Sequence, residues 1–175
     1  MSDTRIEQRF ISLWVAGLAL FALVIWLSLP LRIDAVPGGI LDHQAAGSAA
    51  EVNRIQQAWG RAGLAERAQM AMFGDLVFIV VYGMGAWYGG LAFAQESRPK
   101  LRRLGWLLVG AAALFLATDL LETIAQLVQL LGQRGSDGLA TLAATVQPVK
   151  MVVWLVTFFG VIAGLVVRRI SPPAD

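Results

Sequence analysis

Four side chains carry most of the chemistry that this sequence could do: Asp75, Asp119, Glu122 and Lys150. All four lie inside long apolar runs. The stretch "ATDLLETIAQLVQLL", residues 117–131, places two of the acids where a hydrocarbon-facing helix would carry none. Asp119, Glu122, Gln126 and Gln129 step by three, four and three, which keeps them on one helical face. Carboxyls gathered around one ammonium can bind a polar group, exchange a proton, or simply pair with one another. An acid–base enzyme would need one carboxylic acid kept protonated, and Asp119, the deeper acid on its helix, is the candidate. No catalytic residue is specified beyond that.

These residues need elements to position them. Of the 175 residues, 57% are hydrophobic and 15% are charged. A soluble domain is about 25% charged, so the composition indicates an all-α integral membrane protein forming a single domain over residues 1–175. With no cysteine, disulfides, thiolate metal sites and cysteine nucleophiles are excluded. His43 is the one histidine, so bis-histidine haem and histidine-rich metal centres are excluded too, and no cofactor or metal is expected.

A hydrocarbon core of about 30 Å needs about 20 apolar residues as helix. Four segments qualify: 10–31, 70–94, 104–131 and 146–167. The first apolar run exceeds the hydrophobic region of a signal peptide and no clear A-x-A site follows, so it reads as an anchor. The fold expected is a four-helix transmembrane bundle with a short external amphipathic helix in its first loop. In that loop "AVPGGI" reads as a turn. "SAAE" at Ser48 to Glu51 reads as a capping box, with Val52, Ile55 and Trp59 following at helical spacing. The end "SPPAD" reads as a disordered tail.

Lysine and arginine set the orientation. Arg5, Arg9, Arg98, Lys100, Arg102, Arg103, Arg168 and Arg169 fall on the side of the termini. Arg32, Arg54, Arg61, Arg67 and Arg134 fall on the other. Both termini are therefore expected in the cytoplasm of a bacterium, with the chain in the inner membrane. The basic residues mark topology, and no nucleic-acid partner is expected. Trp14, Trp87, Tyr88 and Trp106 would then sit near the inner interface and Trp26 near the outer one.

At about 1.5 Å per residue, Asp75, Asp119 and Lys150 lie roughly 7, 8 and 6 Å below the outer boundary, with Glu122 a turn nearer the surface. Four ionisable groups from three helices thus share one level. Charges within spans face a bundle interior or a watery cavity and pair with one another. Three acids outnumber one lysine, so either one acid carries a proton, or Arg67 or His43 reaches in from the first loop. Taken by itself, His43 reads as a solvated loop residue. Tyr82, seven residues after Asp75, falls on the same face two turns deeper; it can line the site or be a core tyrosine bonded locally. Gly85 with Gly89 and Gly160 with Gly164 form GxxxG motifs. They suggest that the second and fourth spans cross tightly in the cytoplasmic half and splay in the outer half.

The stretches "WGRAGLAERAQMAMFGDLVFIVVYG", "ATDLLETIAQL" and "VQPVKMVVWL" resemble a group of small four-span bacterial inner-membrane proteins without an assigned activity. The matching positions are Asp75, Phe78, Tyr82, Asp119, Glu122 and Lys150. In that group an Asn often follows the Glu; here Thr123 stands there. The resemblance implies a four-span fold and no particular reaction.

Three functions fit these residues. The first is a charged pocket of Asp75, Tyr82, Asp119, Glu122, Gln126 and Lys150 that binds a membrane lipid or other amphipathic small molecule. The second is a structural or assembly subunit, with a membrane-protein partner or a second copy, whose charges only fix packing. The third is a proton-coupled small transporter, disfavoured because no span is obviously broken at mid-membrane. The orientation underlies every depth given above. A reporter fused at the C-terminus should read as cytoplasmic and one inserted at Gly47 as external; the reverse pattern would move the charged level to the inner leaflet.

Overall fold

The structure is a computed structural model that describes residues 4–170. The "SPPAD" tail lies outside the described residues. Among those described there is no strand, only an isolated bridge between Ile33 and Val36. The helices are α1 (Thr4–Ser28), α2 (Ile40–Ala45), α3 (Ala49–Arg61), α4 (Ala65–Ala94), α5 (Pro99–Leu131) and α6 (Asp137–Ile170), with a 3-10 turn at Leu29–Leu31 after α1. Four of them, α1, α4, α5 and α6, are long and apolar enough to cross a membrane.

The long helices outrun the apolar segments that identify them, because local capping sets their ends. α6 starts nine residues before the apolar run at Val146, where the Ser136 carbonyl accepts the Ala140 N–H at 2.8 Å. α5 starts on Pro99, whose missing N–H costs nothing at a first helical turn. It ends where Gln133 takes a left-handed φ of 49° and the Arg134 N–H reaches back to the Gln129 carbonyl. Pro148 lies inside α6, two residues before Lys150. It removes one backbone hydrogen bond there.

The first loop is more ordered than a turn and one helix. "AVPGGI" makes its turn through Gly39 at φ 61° and leads into α2, which the sequence pattern does not announce. Ser48 caps α3, its hydroxyl accepting the Glu51 N–H at 3.3 Å. Val52, Ile55 and Trp59 of α3 are buried against Leu31, Leu127, Leu130 and Ala140, so α3 roofs that end of the bundle. The Trp59 indole donates to the Leu31 carbonyl at 3.0 Å. The Ala49 N–H donates to Asp137, and the Gly135 N–H to Asn53, which pins α3 to the α5–α6 turn.

At the opposite end Arg168 pairs with Glu7 and Glu96 and lies over the Phe93 ring, joining α1, the α4–α5 loop and α6. Trp26 and Trp106 are exposed, whereas Trp14 is drawn between helices, 6.4 Å from Phe158.

Helix neighbours follow chain order: α1 packs on α4, α4 on α5 and α5 on α6, with little α4–α6 approach. This corrects the GxxxG expectation. A Cβ on Gly85 would meet the Trp14 backbone of α1 at 2.6 Å, and one on Gly89 would meet the Phe10 ring of α1 at 2.7 Å. Gly160 faces Leu108 of α5, and Gly164 faces the Phe93 ring of α4. The two motifs therefore do not meet. The close backbone crossings are α1 on α4, through Gly17 and Gly85, and α4 on α5, through Gly90 and Gly105. The motif specifies a small face but not the helix that covers it.

These contacts separate the glycines by what a side chain would strike. Gly85→Ala meets main chain, which cannot give way, and should cost about 1–3 kcal/mol. Gly160→Ala meets the tip of Leu108, which can rotate, and should cost less. Thermal melts of the two variants check this; equal losses would mean that α6 is seated as rigidly as α1.

Candidate functional site

The charged level expected from the sequence is a physical cluster. The Lys150 ammonium turns inward and donates to Asp119 Oδ1 at 3.0 Å and to Glu122 Oε1 at 2.9 Å. All three side chains are buried. The α5 register makes this possible, since Asp119 and Glu122 stand one turn apart on the face turned to α6. Asp75 of α4 joins through Thr123, whose hydroxyl donates to Asp75 Oδ2 at 3.3 Å. Thr123 is thus the polar link from α5 to α4.

The rest of the α5 stripe divides by role. Gln126 donates its side-chain N–H to Glu122 Oε1 at 3.2 Å and so supports the ion pair from behind. Gln129 accepts the Ser136 N–H at 2.9 Å and serves the α5–α6 turn instead. Thr118 turns back on its own helix, donating to the Leu114 carbonyl at 2.8 Å.

Neither loop residue reaches the acids as a second cation. Arg67 donates to the Leu27 carbonyl and lies 5.7 Å from the Trp26 ring centroid. His43 is not solvated: it is buried in α2, with its ring centroid 5.4 Å from that of Trp59 and Nε2 3.3 Å from Gln56 Nε2. Burial lowers its pKa to about 4, opposed in part by the nearby Gln126 side chain, which favours the protonated ring. His43 is therefore neutral at pH 7. Burial and ring packing of this kind leave no periodic mark in a loop sequence.

Beside the cluster is a cavity of about 350 Å³. Asp75, Asp119 and Lys150 face it, and Asp75, unlike the other two, remains partly accessible. The opposite walls are apolar and largely aromatic: Phe21, Phe78, Phe115 and Trp154. Gln44 of α2 and Arg32 stand at the end nearest the first loop. Ile25, Leu29, Leu41 and Met151 line the cavity while staying exposed on the outside, so it opens along the seam between α1 and α6. The backbones of these two helices do not pack closely, and rings close the lower seam, Phe21 against Trp154 at 5.2 Å.

Three residues expected in the pocket do not line it. Glu122 and Gln126 lie behind Asp119 and Lys150, and Tyr82 lies beneath Phe78, its hydroxyl 3.0 Å from Thr157 Oγ1. Tyr82 is a core tyrosine, bonded across to α6 rather than locally. Phe21, Phe115 and Trp154 were missed by sequence reasoning, because apolar residues in a span carry no sign of which face they serve. Among the described residues no cluster of side chains suited to a metal is present.

Comparison of the chain with protein-family models, with curated proteins and with solved structures finds no match.

The ion cluster gives a direct test. Lys150→Met leaves two carboxylates buried without their counter-charge and should destabilise by about 3–5 kcal/mol. Adding Asp119→Asn should return much of that loss. Unchanged stability of Lys150→Met, in detergent and in bilayers, would mean that the ammonium pairs with neither acid.

Proposed function

We propose that this protein is a multi-pass membrane protein that binds an amphipathic, lipid-like molecule in the cavity between α1, α4 and α6. One observation carries the reading. A cavity with apolar, aromatic walls has its polar groups gathered at one place and opens sideways along a helix seam. Ligand sites of this kind occupy about 300–1,000 Å³ and fix orientation with a few polar groups among apolar ones. Here the tail of the ligand lies against Phe21, Phe78, Phe115 and Trp154, and its polar end meets Asp75, Asp119 and Lys150. An ammonium has three donors. Two on Lys150 are used, and among the described residues the third has no acceptor.

With basic residues placing the termini in the cytoplasm of a bacterial cell, the cavity opens to the outer leaflet of the inner membrane. A molecule dissolved in that leaflet then reaches the site without crossing water. A sensor, a carrier and an acid–base enzyme share this geometry.

Protein purified from its native membrane should carry a bound amphiphile, detected by native mass spectrometry. Met151→Trp, at the exposed mouth, should lose that species while melting close to the wild type. A wild-type protein that retains no amphiphile under conditions that keep it folded would overturn the reading and favour a purely structural cluster.

A further inference from the structure

We infer that the molecule in this cavity carries a cationic amine, seated at Asp75. The inference rests on the reading of the cavity as an amphiphile site and adds the chemical class of the headgroup. It follows from charge balance. Three carboxyls, Asp75, Asp119 and Glu122, surround one ammonium, and Lys150 is committed to two of them at 3.0 and 2.9 Å. Asp75 takes no part in that pairing. Among the described residues its one hydrogen bond is from the Thr123 hydroxyl, at 3.3 Å, which uses Oδ2. The one carboxyl of the three without a cationic donor is therefore also the most accessible one in the cavity wall. The two candidates for a second protein cation are engaged elsewhere, His43 neutral against Trp59 and Arg67 on Trp26. The excess carboxyl is then balanced by a proton or by a cation from outside the chain, and Asp75, which opens on the cavity, is where a ligand ammonium takes the place of that proton.

The walls favour the same class. Phe78, one turn beyond Asp75, lines the cavity with Phe115 and Trp154, and an aromatic ring attracts a cation placed over its face. Two cations compete: Lys150 faces the cavity, but its charge is already offset by Asp119 and Glu122, and Arg32 lines the mouth and would attract an anion. It is exposed, however, and a charge pair in water is several-fold weaker than one between low-dielectric walls. The buried end of the cavity therefore decides the headgroup.

Three probes with one tail separate the possibilities: dodecylamine, dodecanol and dodecanoate. Each is titrated into the full chain held in phosphatidylcholine nanodiscs, and bound species are counted by native mass spectrometry. Dodecylamine should bind at least about tenfold more tightly than dodecanol, the worth of one charge-assisted hydrogen bond. Asp75→Asn should bring that ratio close to one, and Asp75→Glu should keep it. A wild-type ratio near one, or a preference for dodecanoate, overturns the amine assignment while leaving the amphiphile site standing; the second result would give the headgroup to Lys150 or Arg32. Failure of all three probes to bind overturns the site itself, and the amine with it.

Discussion

The ion cluster of Lys150 with Asp119 and Glu122 is the constraint on which the bundle depends. Desolvating an ammonium and two carboxylates costs several kcal/mol for each ion, and only close geometry with further hydrogen bonds offsets it. The fold supplies both. Gln126 supports Glu122, and Thr123 ties Asp75 to α5. Once Lys150 must reach both acids, the rotation of α6 against α5 is set to within a fraction of a turn. Pro148 and Met151 then take up the outward positions on either side of it.

A second consequence falls on the seam between α1 and α6. Glycines bring α1 close to α4 and α4 close to α5, but no such pair draws α1 toward α6. That side is closed by Trp14, Phe21, Trp154 and Phe158, whose rings span the distance that backbones do not. Rings fill the half of the seam nearest the termini. Toward α2 the filling stops and the cavity begins. The opening is thus a product of where small residues end and large ones cease to reach, and α2 covers it from above rather than from the side.

The network at the far end works differently. Arg168, Glu7, Glu96 and Arg98 are partly exposed, so water screens them and each pair contributes little on its own. Their role is positional. They gather the ends of α1, α4 and α6 where no covalent loop joins α1 to α6. A buried cluster at one end and a solvated one at the other hold a bundle whose middle is largely apolar.

Four apolar segments, the polar register of α5 and the cap of α3 could be read from the sequence, because each depends on spacing along one helix. Asp119, Glu122 and Gln126 share a face by helical geometry alone, and Ser48 stands where an N-cap belongs. Lys150 was legible as a partner for the acids because a lone buried ammonium is too costly to leave unpaired. What lay between helices was not legible. The GxxxG motifs named small faces and left their partners open, and packing assigned Gly85 to α1 and Gly160 to α5. Tyr82 shares a face with Asp75 by count, yet the Phe78 ring separates it from the cavity. His43 sits in a polar loop and is buried, because Trp59 and Gln56 arrive from α3 to cover it. Periodicity reports the direction of a side chain from its own axis, and only the packing of several axes decides what it meets there.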